Sequence, residues 1–166
     1  MAVFIKKIKL HSQDHMPCFH DITKEVKEIV SDSGIKNGLV TVFSHHTTCS
    51  VIFQESSHDK NFFGREFLQV DLIEIMEKLI PTCLTEGQYH HPGPKHIEFA
   101  LSNPGERERD SLNTDAHLRS VFFGRSENFI LEDGKISLGD FGFIYFVDWD
   151  QVRERDRSVE IMIMGE

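Results

Sequence analysis

Two hydrophobic periodicities divide the chain. Apolar and polar residues alternate near both ends, and apolar residues recur at helical spacing between them. "VFIKKIKLH" (3–11) reads as a strand. Ile22, Val26, Ile29 and Val30 then share one helical face, with Asp21 placed to cap its start and Gly34 to stop its end. Asn37-Gly38 is a turn, and "LVTVFSH" and "CSVIFQE" follow as strands. Leu68, Leu72, Ile75, Met76 and Leu79 predict a second helix, ended by Pro81. Residues 86–112 hold Pro92, Pro94 and Pro104 and predict a long loop, with one short strand at "HIEFAL". "TDAHLRSVFF" is a short helix capped by Thr114. The last third is β: a hairpin turning at Asp133-Gly134, then "FGFIYFVDW", then "RSVEIMIMG". Strands at both ends with helices between them define an α+β chain, and the length predicts a single domain over residues 1–166.

Composition narrows the classes. A chain of 166 residues buries enough surface to need no disulfide staple. Its three cysteines form no CxxC pair, which points to a reduced, cytoplasmic protein. The N-terminal alternation reads as a strand and not a signal peptide, and no apolar run reaches the roughly 18 residues of a membrane span. A net charge of −9 disfavours nucleic acid, though not a small anion in a local pocket. Fourteen phenylalanines against one tryptophan predict a Phe-rich core.

Ten histidines concentrate the candidate chemistry into three clusters. The first is "HHTT" with Glu55. In an unbroken strand His46, Thr48 and Ser50 share a face. The second is "YHHPGPKH", where His90, His91 and His96 are potential metal ligands. The third is "NTDAHL". Asn113, Asp115 and His117 lie at a helix start, where free N–H groups favour an anion. Each cluster also has an ordinary reading: polar residues at a strand end, titrating loop histidines, a capped surface helix. His11, His15, His20 and His58 read as surface or core residues, Cys49 as a small buried residue, and "RERDR" (153–157) as a solvated turn.

Taken in order, "HTTCSVIFQE", "YHH", "NTDAHLRSVFFGRS", "DGKISLGDFGFIYFVDWD" and the ending "RSVEIMIMGE" resemble the YjbQ family, also called UPF0047 or the secondary thiamine-phosphate synthase family. The resemblance runs from Lys6 to Glu166. It implies a twisted β-sandwich with two or three helices, assembled as a homotrimer with pockets near subunit boundaries. It implies a small phosphorylated substrate and a site in which the histidines hold a divalent metal, zinc or magnesium, or a phosphate-like anion. Carried over by motif, His46 and Glu55 become catalytic candidates, and His46, His91 and His117 metal-ligand candidates. Thr48, Asn113 and Asp115 are the substrate-binding candidates beside them.

The implied reaction joins a pyrimidine pyrophosphate to a thiazole phosphate as a weak activity. Two alternatives stay open: another metal-dependent hydrolase or lyase on a small phosphorylated substrate, and a non-catalytic trimeric module that binds a metabolite. The chain departs from the family pattern at Cys49, at Ser56-Ser57-His58, in the longer loop between His91 and Asn113, and at Phe141-Gly142. At the last of these a Trp-Gln is expected, so a pocket amide is expected to be missing.

Overall fold

Alternation at the two chain ends resolves into one sheet. The computed structural model describes residues 1–166 as β1 (Ala2–Ser12), β2 (Cys18–Asp21), α1 (Thr23–Ser33), β3 (Gly38–Phe43), β4 (Cys49–Glu55), α2 (Phe67–Leu79), α3 (Pro94–Leu101), α4 (Thr114–Phe123), β5 (Ser126–Glu132), β6 (Lys135–Ile136), β7 (Gly142–Asp148) and β8 (Arg155–Gly165), with a 3-10 turn at Glu108–Ser111. β1 and β8 pair antiparallel along their full length, Ala2 opposite Gly165 and Ser12 opposite Arg155. The larger sheet has the order β1-β8-β3-β5-β6 and the smaller β2-β7-β4. Every strand pair is antiparallel.

The sheets stack through the alternate inward residues of β3 and β8, which meet the small sheet, whose strands β4 and β7 are buried on both faces. Val40 and Val42 of β3 and Val159, Ile161 and Ile163 of β8 meet Val51 of β4 and Ile144 and Phe146 of β7. α1 closes the same core with Ile22, Val26, Ile29 and Val30, the face read from its spacing. Gly34 takes φ 69° at the end of α1, the left-handed conformation glycine adopts most cheaply. Asp21 meets the helix start at one remove, accepting from the Thr23 N–H at 2.9 Å. The core is aliphatic at its centre and not Phe-rich: Phe129 and Phe146 are the only phenylalanines buried in it, with Phe4 packed against its edge.

The other face of the small sheet carries a second apolar cluster: Ile52, Tyr145, Val147 and Trp149 pack with Ala116 of α4. Trp149 is fully buried, donates to Ser50 Oγ at 2.9 Å and stacks on Phe123. Ser120 Oγ donates to the Cys49 carbonyl at 2.6 Å, pinning α4 to β4. Arg119, also fully buried, reaches Glu77 Oε1 at 2.7 Å and the Ile80 carbonyl at 2.8 Å, tying α4 to the end of α2.

Four helices form where two or three were expected, and the added one corrects the reading of "HIEFAL" as a strand. Pro94 occupies the first turn of α3 after Gly93, a position where its missing N–H costs nothing. Ile97 and Leu101, four apart, then face the same groove below the 86–93 segment. No helix is long and apolar enough to cross a membrane.

Candidate functional site

The stretch "SHHTTC" is not one unbroken strand. β3 ends at Phe43, β4 starts at Cys49, and residues 44–48 turn over the end of the sandwich. Ser44 Oγ accepts from the His46 N–H at 3.2 Å and shapes the turn. β8 outruns β3 there: the last β3–β8 pair is Phe43 with Glu160. The Ser158 N–H donates instead to His46 Nε2 at 3.0 Å, so the imidazole stands in for the next strand residue. This bond places the His46 proton on Nδ1. Burial, then the neighbouring Arg157 and His45, hold its pKa below the usual histidine value, so the ring is neutral at pH 7.

A wholly polar cavity of about 320 Å³ opens at this end. The turn supplies His45, His46, Thr47 and Thr48. The start of α4 supplies Asn113 and His117, and the β7–β8 connection supplies Asp150, Arg155 and Arg157. Arg157 makes a two-point contact with Asp148, at 2.6 and 3.1 Å, and donates to Thr48 Oγ1 at 3.1 Å. Asp150 pairs with Arg155 at 3.3 Å and accepts from Asn113 Nδ2 at 3.3 Å. Two guanidinium groups and two carboxylates cancel in charge. Arg155 Nε nevertheless stays buried without a hydrogen-bond partner. Burial lowers the pKa of Arg155, but an arginine remains cationic.

His117 lies against the turn, its Nδ1 3.2 Å from the Thr47 carbonyl. Only a protonated Nδ1 makes that bond, which leaves the Nε2 lone pair free. Burial lowers the His117 pKa, and it also lowers that of His91. The His91 ring stands perpendicular to His117 at 5.8 Å between centroids and packs on His96 at 4.3 Å. Its Nε2 is buried without a partner. Thr114, expected as a helix cap, donates its hydroxyl to the His91 carbonyl instead and so anchors this loop to α4.

The sequence candidates thus divide. His46, Thr48, Asn113 and His117 converge on the cavity, with His91 packed behind His117. Glu55 and Asp115 do not converge. Glu55 is exposed at the far end of β4, opposite Gly142. At ~3.3 Å per residue it stands roughly 20 Å from Thr48. Glu66 is the carboxylate that organises that end, accepting from the Ser57 N–H at 2.7 Å and from Tyr145 OH at 3.2 Å. Asp115 is buried under the helix, where it accepts from the Cys83 N–H at 3.1 Å. Burial raises its pKa.

The Phe141-Gly142 departure also lies away from the cavity. A Cβ at Gly142 meets the Phe53 ring at 2.0 Å, so the phenylalanine fills the space of a larger residue.

Arg155 and Arg157 are absent from the sequence candidates because "RERDR" reads as a solvated turn, and Asp148 and Asp150 because they lie at the end of a strand read only for its apolar residues. The signal was present: Arg157 continues inward the alternation of Val159, Ile161 and Ile163. Cys49 is buried as expected, and burial raises its thiol pKa far above the reactive range.

The metal implied by the resemblance finds too few donors. No three His, Cys, Asp or Glu side chains are gathered to hold an ion. His91 stands between His96 and His117, 4.3 and 5.8 Å away between ring centroids, without the three forming a ligand set, His46 spends Nε2 on Ser158, and the nearby carboxylates are spent on arginines.

The architecture defines an α+β sandwich with an imidazole- and arginine-lined cavity at one end. The family model described as "UPF0047 protein YjbQ-like" matches residues 6–166, and the chain belongs to this family. A UPF0047 protein of Archaeoglobus fulgidus is 32% identical over 135 residues, 81% of this chain and 83% of that protein. The UPF0047 protein YugU of Bacillus subtilis is 26% identical over 94% of this chain and 96% of its own. Among solved structures, an uncharacterised YjbQ/UPF0047 protein of Clostridium acetobutylicum aligns with a TM-score of 0.68 and 29% identity, covering 95% of this chain and 99% of that one. A YbjQ-like protein of unknown function from Sulfolobus solfataricus shares the fold, with a TM-score of 0.71 at 23% identity over 99% of this chain and all of the other.

Proposed function

We propose that this chain is a small-molecule enzyme that holds a phosphoryl group of its substrate in the 320 Å³ cavity. One observation carries the reading: a cavity without apolar residues in its lining, to which Arg155 contributes a half-buried guanidinium whose one carboxylate partner is Asp150. Asn113 and the threonines of the turn add polar contacts, and the free Nε2 of His117 is the group that exchanges a proton with the reacting oxygen. In the thiamine-phosphate synthase form, the reaction releases pyrophosphate from a pyrimidine pyrophosphate. The cavity supports the anion-holding half of that demand. It offers no apolar wall for two heterocycles, which favours a hydrolase or lyase acting on another small phosphorylated substrate. The donors at the cavity, with its carboxylates engaged by arginines, favour an anion over a divalent metal, zinc or magnesium.

The proposal extends to a homotrimer. The outer face of the large sheet sets Val3, Met164, Leu39 and Ile130 side by side, a row suited to cover by further copies. Light scattering at the mass of three chains supports it, and a monomer mass overturns it. Three free cysteines fit a reducing, cytoplasmic setting.

The functional test is calorimetric titration of inorganic phosphate into the wild type, Arg155→Ala and His117→Ala, followed by turnover assays on thiamine precursors and other phosphate esters. Binding that weakens about tenfold or more in Arg155→Ala agrees with the reading. Phosphate affinity indifferent to both variants removes it.

A further inference from the structure

A second cavity, of about 490 Å³, adjoins the first. His46 and Arg157 line both, so the two spaces lie on either side of these residues. The floor of the second is the outer part of the β1–β8 ladder, where Lys9 lies opposite Ser158 and His11 opposite Asp156. Its free cation is Lys9. The other lysines of β1 are engaged, Lys6 with Asp32 at 3.0 Å and Lys7 with Glu160 at 2.6 Å, and His11 is held by Asp156 at 3.0 Å. Lys9 makes no such pair and faces the cavity in a chain of net charge −9. His46 cannot swing aside freely, because Nε2 is tied to the backbone of Ser158.

We infer that the substrate carries two anionic groups, one held beside Arg155 in the first cavity and the other by Lys9 in the second, with His46 a fixed post between them. This inference rests on the phosphoryl-holding reading above. The His46 side chain stands between the two spaces, so the span is at least the width of that ring with an anion on each side. A single phosphate or a compact diphosphate is too short for it. A phosphate ester with a second phosphate or carboxylate at the far end of a chain of about four carbons fits. Lys9 is then a specificity-determining residue, separating doubly anionic from singly anionic substrates.

The test uses the full chain and two probes, butane-1,4-diyl bisphosphate and butyl phosphate, titrated by calorimetry into the wild type, Lys9→Ala and Lys6→Ala. Lys9 is an exposed residue of an edge strand, so its replacement leaves the fold intact. The wild type is expected to bind the bisphosphate about tenfold or more tightly than butyl phosphate. Lys9→Ala is expected to erase that advantage with butyl phosphate binding unchanged, while Lys6→Ala retains it. An advantage that survives Lys9→Ala, or falls equally in Lys6→Ala, overturns the inference. Wild-type binding of butyl phosphate with no bisphosphate advantage removes the second subsite alone. Binding of neither probe removes the phosphoryl reading itself.

Discussion

Arg157→Leu is the substitution with the sharpest expected cost. The guanidinium is 6% exposed and its partner carboxylates on Asp148 and Asp150 are each 1% exposed. Asp150 keeps Arg155 and Asn113 when Arg157 is removed. Asp148 keeps only the Asp150 N–H at 3.1 Å. One carboxylate is therefore left buried with its cation gone, a change that costs about 3–5 kcal/mol. That is a large part of the roughly 5–15 kcal/mol that stabilises a domain. Because the penalty belongs to the orphaned charge and not to a lost attraction, Arg157→Leu/Asp148→Leu is expected to recover most of it. Urea unfolding of the three proteins at pH 7 measures this directly. A single variant that loses less than about 1 kcal/mol contradicts the reasoning, given that the measured cost of breaking such a pair is several times larger. A double variant no more stable than the single contradicts it equally.

Further outcomes follow from the same geometry. Glu55→Gln is expected to leave phosphate affinity unchanged, since the carboxylate stands at the other end of β4; a clear loss in titration would return Glu55 to the site. The lowered pKa values of His46, His91 and His117 mean that the folded chain takes up these protons later than the unfolded chain as pH falls. Stability from these groups is present above the unfolded histidine pKa of about 6.5 and is lost on acidification through the lower folded values, which thermal melts from pH 7.5 to 5 will show. A dianion in the cavity reverses the preference by favouring protonated imidazole. Affinity for sulfate is therefore expected to rise as pH falls from 8 toward 6, by up to about tenfold per pH unit for each proton taken up, and a flat profile in calorimetry refutes that coupling. Elemental analysis of protein purified without a His-tag is expected to find well under one transition-metal ion per chain; one ion per chain, lost in His91→Ala/His117→Ala, restores the metal.

Much of the scaffold was legible because burial writes a period into sequence. The apolar face of α1 and the inward residues of β8 follow directly from spacing. "HIEFAL" fits a strand because Ile97, Phe99 and Leu101 alternate, and fits a helical turn because Ile97 and Leu101 lie four apart; Pro94 decides between them only through its place at the helix start. The cavity was half legible. His46, Thr48, Asn113 and His117 announce themselves as polar residues in apolar surroundings. Arg155 and Arg157 sit in a charged run, where composition suggests solvent; only the register of β8 turns Arg157 inward. Glu55 and Asp115 show the converse limit. Motif order places a carboxylate near a histidine along the chain, whereas an extended strand carries Glu55 away and a helical turn points Asp115 at Cys83.

Crystals of the protein soaked with tungstate, a strongly scattering phosphate mimic, test the central claim most directly. The account predicts an anomalous peak in the end cavity, within hydrogen-bond reach of Arg155 and His117, that disappears in Arg155→Ala. Tungstate found only on the outer surface, or a cavity peak indifferent to Arg155, contradicts it.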